Sequence, residues 1–266
     1  MNIKEMTCRT ALTPSKLPGL DYTLNPYLGC MHQCQYCYAP GILHLNRSQW
    51  IETVAVKRNL PLILSKELKQ KKPGIIGLST VTDPYQPIEK TYRVTRYCIE
   101  VLIHHNFPVC IQTKSDLILQ DKELITSLPD VEVIVSIGTL DDTHRKLLEP
   151  GSSSIPGRLR ILEAFTDTSV KTSVFFGPIY PTITPDQIPE IIDAFLKTDV
   201  DEIMIDTLHL KQDIIPTLSR VFKKNKEFSL CLPLQKNTLI QQRFFDVRKC
   251  IYDYIKNKDI TVKDAF

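Results

Sequence analysis

Cys30, Cys34 and Cys37 stand in the string Gly-Cys-Met-His-Gln-Cys-Gln-Tyr-Cys-Tyr, a C-x3-C-x2-C triplet with Tyr36 just before the last thiol. Three thiolates at this spacing can wrap one loop around three corners of a 4Fe–4S cube. The fourth iron is then left without a protein ligand and is open to a small molecule. A structural zinc site asks for something else: four ligands, commonly from paired C-x2-C knuckles, in a closed shell. With His32 as a fourth ligand the same loop would give a non-catalytic zinc or iron–sulfur protein, which is the alternative to weigh.

The other cysteines (Cys8, Cys98, Cys110, Cys231, Cys250) are scattered and read as small buried hydrophobes rather than a disulfide framework. A chain of 266 residues with 42% hydrophobic and 24% charged residues suits one large α/β domain with a full core. A formal charge of +3 permits an anionic substrate without demanding nucleic acid. No apolar stretch nears the roughly 20 residues that span a membrane, and the first residues lack the apolar core of a signal peptide. A cytoplasmic protein with no membrane partner is expected.

The loop needs elements to hold it, and the chain alternates short apolar runs with longer amphipathic stretches. Strands are expected at 74–80, 108–113, 131–137, 170–176 and 202–206, with a weaker one at 228–232. Such continuous apolar runs suit strands buried on both faces of a parallel sheet. Helices are expected at about 59–71, 88–105, 117–127, 155–166, 185–196, 213–222 and 239–255. With the segment before Cys30 as the first strand, six β/α units can be counted. The expectation is an α/β fold, a partial (β/α)6 TIM-like barrel whose parallel sheet has helices outside. One domain covers 1–266, its core at about 17–210 and a C-terminal extension at 211–266; Gly151 to Gly157 reads as a loop within it, not a boundary.

In parallel α/β folds the βα loops gather at the carboxyl ends of the strands, and chemistry sits there. Those ends carry the cysteine loop, then Ser79 to Asp83, Gln112 to Ser115, Ser136, Gly177 to Pro181, and Asp206 to His209. His104 and His105 read as surface residues, and the Lys223 to Lys226 run as a solvated helix end. Arg243, Arg248 and the flanking aromatics could line a groove, and an ordinary amphipathic C-terminal helix explains them equally well.

The match to a known pattern goes beyond the cysteines. Leu17 to Tyr22, Asn25 to Cys30 and Tyr36 to Ala39 resemble the spore photoproduct lyase-like branch of the radical S-adenosylmethionine (SAM) superfamily. So do Thr82 to Glu89, Thr113 to Ser115, Ser136-Ile137, and Arg145 through Glu149-Pro150. The resemblance covers most of 17–185 and fades beyond about 210. It implies a 4Fe–4S cluster on Cys30, Cys34 and Cys37. It also implies an electron donor of flavodoxin or ferredoxin type, and reductive cleavage of SAM to a 5′-deoxyadenosyl radical that abstracts a substrate hydrogen.

SAM makes its own demands on the strand ends. Its ammonium needs acceptors such as Ser79, Thr82 or Asp83, and its carboxylate a cation such as Lys114 or Arg145. Its ribose needs a short polar partner such as Ser136, and its adenine would lie near the backbone around Tyr36. Tyr38 is the candidate catalytic residue, as a radical relay beside Tyr36. In the namesake lyases a cysteine beside the second-strand motif returns a hydrogen atom to the product radical. Here Thr80 stands at that place, and a hydroxyl holds its hydrogen too tightly to replace a thiol. A nucleic-acid repair lyase is therefore the alternative reading, and the substrate is left open.

Overall fold

The computed structural model describes residues 1–232, 234 and 238–265. Among these described residues, eleven strands form two sheets. β1 (Asn2–Met6), β4 (Tyr27–Leu28) and β5 (Thr53–Lys57) make the small one, in the order β1-β5-β4. The large one holds β2 (Leu12–Pro14), β3 (Tyr22–Leu24), β6 (Ile76–Leu78), β7 (Val109–Thr113), β8 (Val131–Ser136), β9 (Lys171–Phe176), β10 (Glu202–Ile205) and β11 (Thr261–Asp264). From β3 through β11 every neighbouring pair is parallel, and only the edge pair β2–β3 is antiparallel. This is the expected α/β partial barrel.

Parallel strands need crossovers, and helices supply them on one face of the sheet. Val109, Ile111 and Thr113 of β7 are buried there, as are Val131, Val133 and Val135 of β8. Phe176 of β9 meets Phe195 of helix Ile188–Leu196 edge to face at 5.5 Å. Truncating either to alanine would cost about 3–5 kcal/mol. The opposite face carries polar pairs beside Ile134 and Phe175. Gln112 donates to Ser136 Oγ at 3.1 Å, Ser173 to Glu132 at 2.5 Å, and Lys171 bridges Glu132 at 3.2 Å and Glu202 at 3.3 Å.

Two local expectations are corrected. The run 228–232 is not a strand: Asn225 caps a short helix, Lys226–Ser229, by accepting from the N–H groups of Glu227 (2.9 Å) and Phe228 (3.1 Å). That turn buries Phe228 against Phe222, 4.8 Å between ring centres, which the apolar run alone did not reveal. The single helix expected at 88–105 is two, Glu89–Tyr92 and Val94–Leu102, because Arg93 takes a left-handed φ of 52° between them. No described helix is long and apolar enough to cross a membrane.

Candidate functional site

β4 runs straight into the cysteine loop, and Gly29 is the hinge. Its φ is +97°, and a β-carbon there would stand 2.5 Å from the carbonyl of Thr53 on β5, so only glycine fits. Beyond it the loop is clamped from three sides. Thr82 donates to the Gly29 carbonyl at 2.6 Å, and Gln86 donates to the same oxygen at 3.2 Å while accepting from Met31 N–H at 2.9 Å. From the second side, Gln35 N–H donates to the Leu148 carbonyl at 2.8 Å, and Gly151 N–H to that of His32 at 3.0 Å. From the third, Arg47 donates to the Cys37 carbonyl at 2.6 Å.

The three thiols are free; Cys30 is buried, and Cys34 and Cys37 keep some exposure. Burial pushes the pKa of each one up, so the chain alone holds them protonated and a metal must displace the protons. Among the described residues no three or more His, Cys, Asp and Glu side chains converge as one metal ion would require. His32, the candidate fourth ligand, instead pairs through Nδ1 with Asp83 at 3.3 Å. Soft, unpaired sulfurs spaced along one rigid loop fit the corners of a cluster better than the closed shell of a single zinc ion.

Around the loop stand the strand ends. Ser79, directly after β6, takes a left-handed φ of 69°, and its hydroxyl is buried without a hydrogen-bond partner among the described residues. Strain and an orphaned polar group at a strand end make Ser79 a candidate ligand-facing residue. Lys114, directly after β7, makes no ion pair among the described residues. Its charge opposes the effect of burial on the thiols of Cys34 and Cys37.

The other expected ligand contacts are largely consumed within the protein. Thr82 is spent on Gly29. Asp83 is filled: Oδ1 accepts from Tyr85 N–H (2.9 Å) and Thr113 Oγ1 (2.8 Å), and Oδ2 from Lys114 N–H (2.8 Å). Burial would raise its pKa, yet His32 and these donors hold it at about 2. It anchors Lys114 rather than facing outward. Arg145 donates to Asp142 through Nε and Nη2, each at 2.9 Å, and through Nη1 to the Ser152 carbonyl at 3.0 Å. Ser136 is buried beside Gln112. Tyr38 is 44% exposed, with its hydroxyl donating to the Thr80 carbonyl at 2.6 Å.

Beneath the loop lies a network that the sequence did not announce. Tyr36 donates its phenol to Glu149, and Arg158 donates to the other carboxylate oxygen of Glu149. Both charged residues are fully buried. Burial would push Glu149 up, but the Arg158 guanidinium and the Lys114 ammonium hold it at about 2. Arg158 also donates to the carbonyls of Ser136 (2.7 Å) and Ser153 (3.1 Å). Glu149 was visible only as part of a Glu-Pro motif, and nothing local in the sequence couples it to Tyr36.

The family model described as the radical SAM superfamily matches residues 24–195. An uncharacterized protein of Methanocaldococcus jannaschii is 32% identical over 267 aligned residues, covering 99% of this chain and 96% of that protein. Among solved structures, a cysteine-to-serine mutant of spore photoproduct lyase is similar with a TM-score of 0.74 at 16% identity, over 98% of this chain and 82% of that one. A second spore photoproduct lyase mutant, with AdoMet and dinucleoside spore photoproduct bound, gives 0.72 at 15% identity, over 98% and 81%.

Proposed function

This chain belongs to the radical SAM superfamily, and we propose that it is an enzyme that cleaves SAM reductively to abstract hydrogen from a substrate still to be found. The observation that carries the reading is the cysteine loop, held from three sides, with a Ser79 hydroxyl and a Lys114 ammonium at the neighbouring strand ends that have no partner among the described residues. Cys30, Cys34 and Cys37 hold the cluster. When bound, the cluster and SAM supply the electron transfer and the 5′-deoxyadenosyl radical, the chemistry no side chain can provide.

The chain's own residues bind and orient. Lys114 receives the SAM carboxylate, because its ammonium makes no ion pair among the described residues and Asp83 fixes its backbone at 2.8 Å. Ser79 accepts from the SAM ammonium. Tyr36 and the end of β8 at Ser136 border the nucleoside. Thr82, Asp83 and Arg145 act one step back, by holding the segments that make contact. Tyr38 is the radical-relay residue, at the exposed rim and tied to Thr80. A flavodoxin- or ferredoxin-type donor is the partner this reading requires.

A dinucleoside is bound by one structural neighbour, but Thr80 offers no thiol hydrogen, which favours a substrate other than a thymine photoproduct. The engagement of His32 with Asp83 favours the catalytic reading over a closed zinc site. Anaerobic reconstitution tests it. Iron and acid-labile sulfide should be retained in equal amounts, and each of Cys30→Ala, Cys34→Ala and Cys37→Ala should lose both. Retention of zinc alone, with no sulfide, would overturn the assignment.

A further inference from the structure

The Glu149–Arg158 pair sits where three segments meet, and none of the binding roles above uses it. Tyr36 brings in the stretch between Cys34 and Cys37. Arg158 reaches the end of β8 through the Ser136 carbonyl at 2.7 Å, and the loop after helix Asp142–Leu148 through the Ser153 carbonyl at 3.1 Å. The last residue of that helix, Leu148, and Gly151 in the loop after it hydrogen-bond the cysteine loop through their backbones. The Tyr36 ring also packs against Tyr180 in a T-shaped arrangement, with 6.5 Å between ring centres.

A buried ion pair is weak evidence for stability, because desolvation offsets much of the attraction. Packing alone would be served by phenylalanine at residue 36. The phenol here instead reaches a carboxylate that is already paired, and this makes the ring's orientation depend on Glu149. We infer that Glu149 is the positioning residue that locks the Tyr36 ring, and with it the Cys34–Cys37 stretch, at a fixed spacing from the end of β8. For SAM binding the inference rests on the function proposed above: these two segments are the walls that border the nucleoside.

The test separates the two claims. In the metal-free full chain, hydrogen exchange of the peptide containing Gln35, Tyr36 and Cys37 should speed up about tenfold in Tyr36→Phe, the equivalent of one hydrogen bond to a charged group. Tyr36→Phe leaves the Glu149–Arg158 pair intact, so folding is preserved if Glu149→Gln proves unstable. Where both fold, the double variant should exchange no faster than either single one. Unchanged exchange in Tyr36→Phe, or additive effects, would overturn the inference. In the cluster-loaded protein, Tyr36→Phe should weaken SAM binding about tenfold with iron content unchanged; unchanged affinity would remove the nucleoside wall from its role. If the unaltered protein binds no SAM, the proposed function fails, while the exchange measurement still decides the positioning claim.

Discussion

Met31, the residue after the first cysteine of the loop, donates its backbone N–H to the side-chain oxygen of Gln86 at 2.9 Å. The amide nitrogen of Gln86 turns the other way, to the Gly29 carbonyl and to Thr82 Oγ1 at 2.9 Å. One fully buried carboxamide thus satisfies the backbone on both sides of Cys30.

Gln86→Leu keeps the volume and removes both functions. Two buried backbone groups lose a partner, at a cost of about 1–3 kcal/mol. Urea unfolding of the metal-free chain should register that loss, and reconstituted iron should fall. Full iron retention at unchanged stability would show that the clamp is dispensable.

Gly151→Ala attacks the opposite clamp. A β-carbon there would collide with the carbonyl of Met31 and stand 2.9 Å from the α-carbon of His32, both backbone atoms that cannot swing aside. A destabilisation of about 1–3 kcal/mol is expected, with poorer cluster retention. A variant that unfolds like the parent chain would mean that the two loops do not pack as described.

Lys114→Ala removes the unpaired cation without touching a clamp. SAM affinity should drop by roughly 10–100-fold, the range for hydrogen bonds to charged groups, while iron content stays constant. Equilibrium dialysis with labelled SAM reads the first and metal analysis the second. Unchanged affinity would take Lys114 out of the site.

Asp142 gives the pH dependence. Hydrogen bonds from Arg145 lower its pKa from the 3.8 of a free aspartate to about 2, against a smaller opposing effect of burial. A carboxylate depressed in the folded state stabilises fully above its unfolded value, and that contribution is lost as pH falls through the folded one. The metal-free chain should therefore lose this stability between pH 3.8 and about 2. Asp142→Asn should flatten the stability curve in that window; an identical slope in the variant would contradict the assignment.

The sequence revealed features that depend on local order. The cysteine spacing, Lys114 after a buried strand and five of the parallel strands could all be read from neighbouring residues. Arg145 and Thr82 looked available because their partners, Asp142 with Ser152 and Gly29 with Gln86, are chosen by tertiary packing. Glu149 and Arg158 were missed for the same reason: Tyr36 lies 113 positions from the carboxylate it bonds. β11 escaped because four residues with one partly buried valine carry little periodicity until β10 pairs with them.

Radical chemistry at the cysteine loop is decided by the products formed from SAM. The anaerobically reconstituted, reduced protein is incubated with SAM and the products are separated by chromatography. The parent chain should form 5′-deoxyadenosine and methionine, and Cys30→Ala, Cys34→Ala and Cys37→Ala should form neither. A full, reducible cluster that forms neither product and whose electron paramagnetic resonance spectrum is unmoved by SAM would contradict that chemistry.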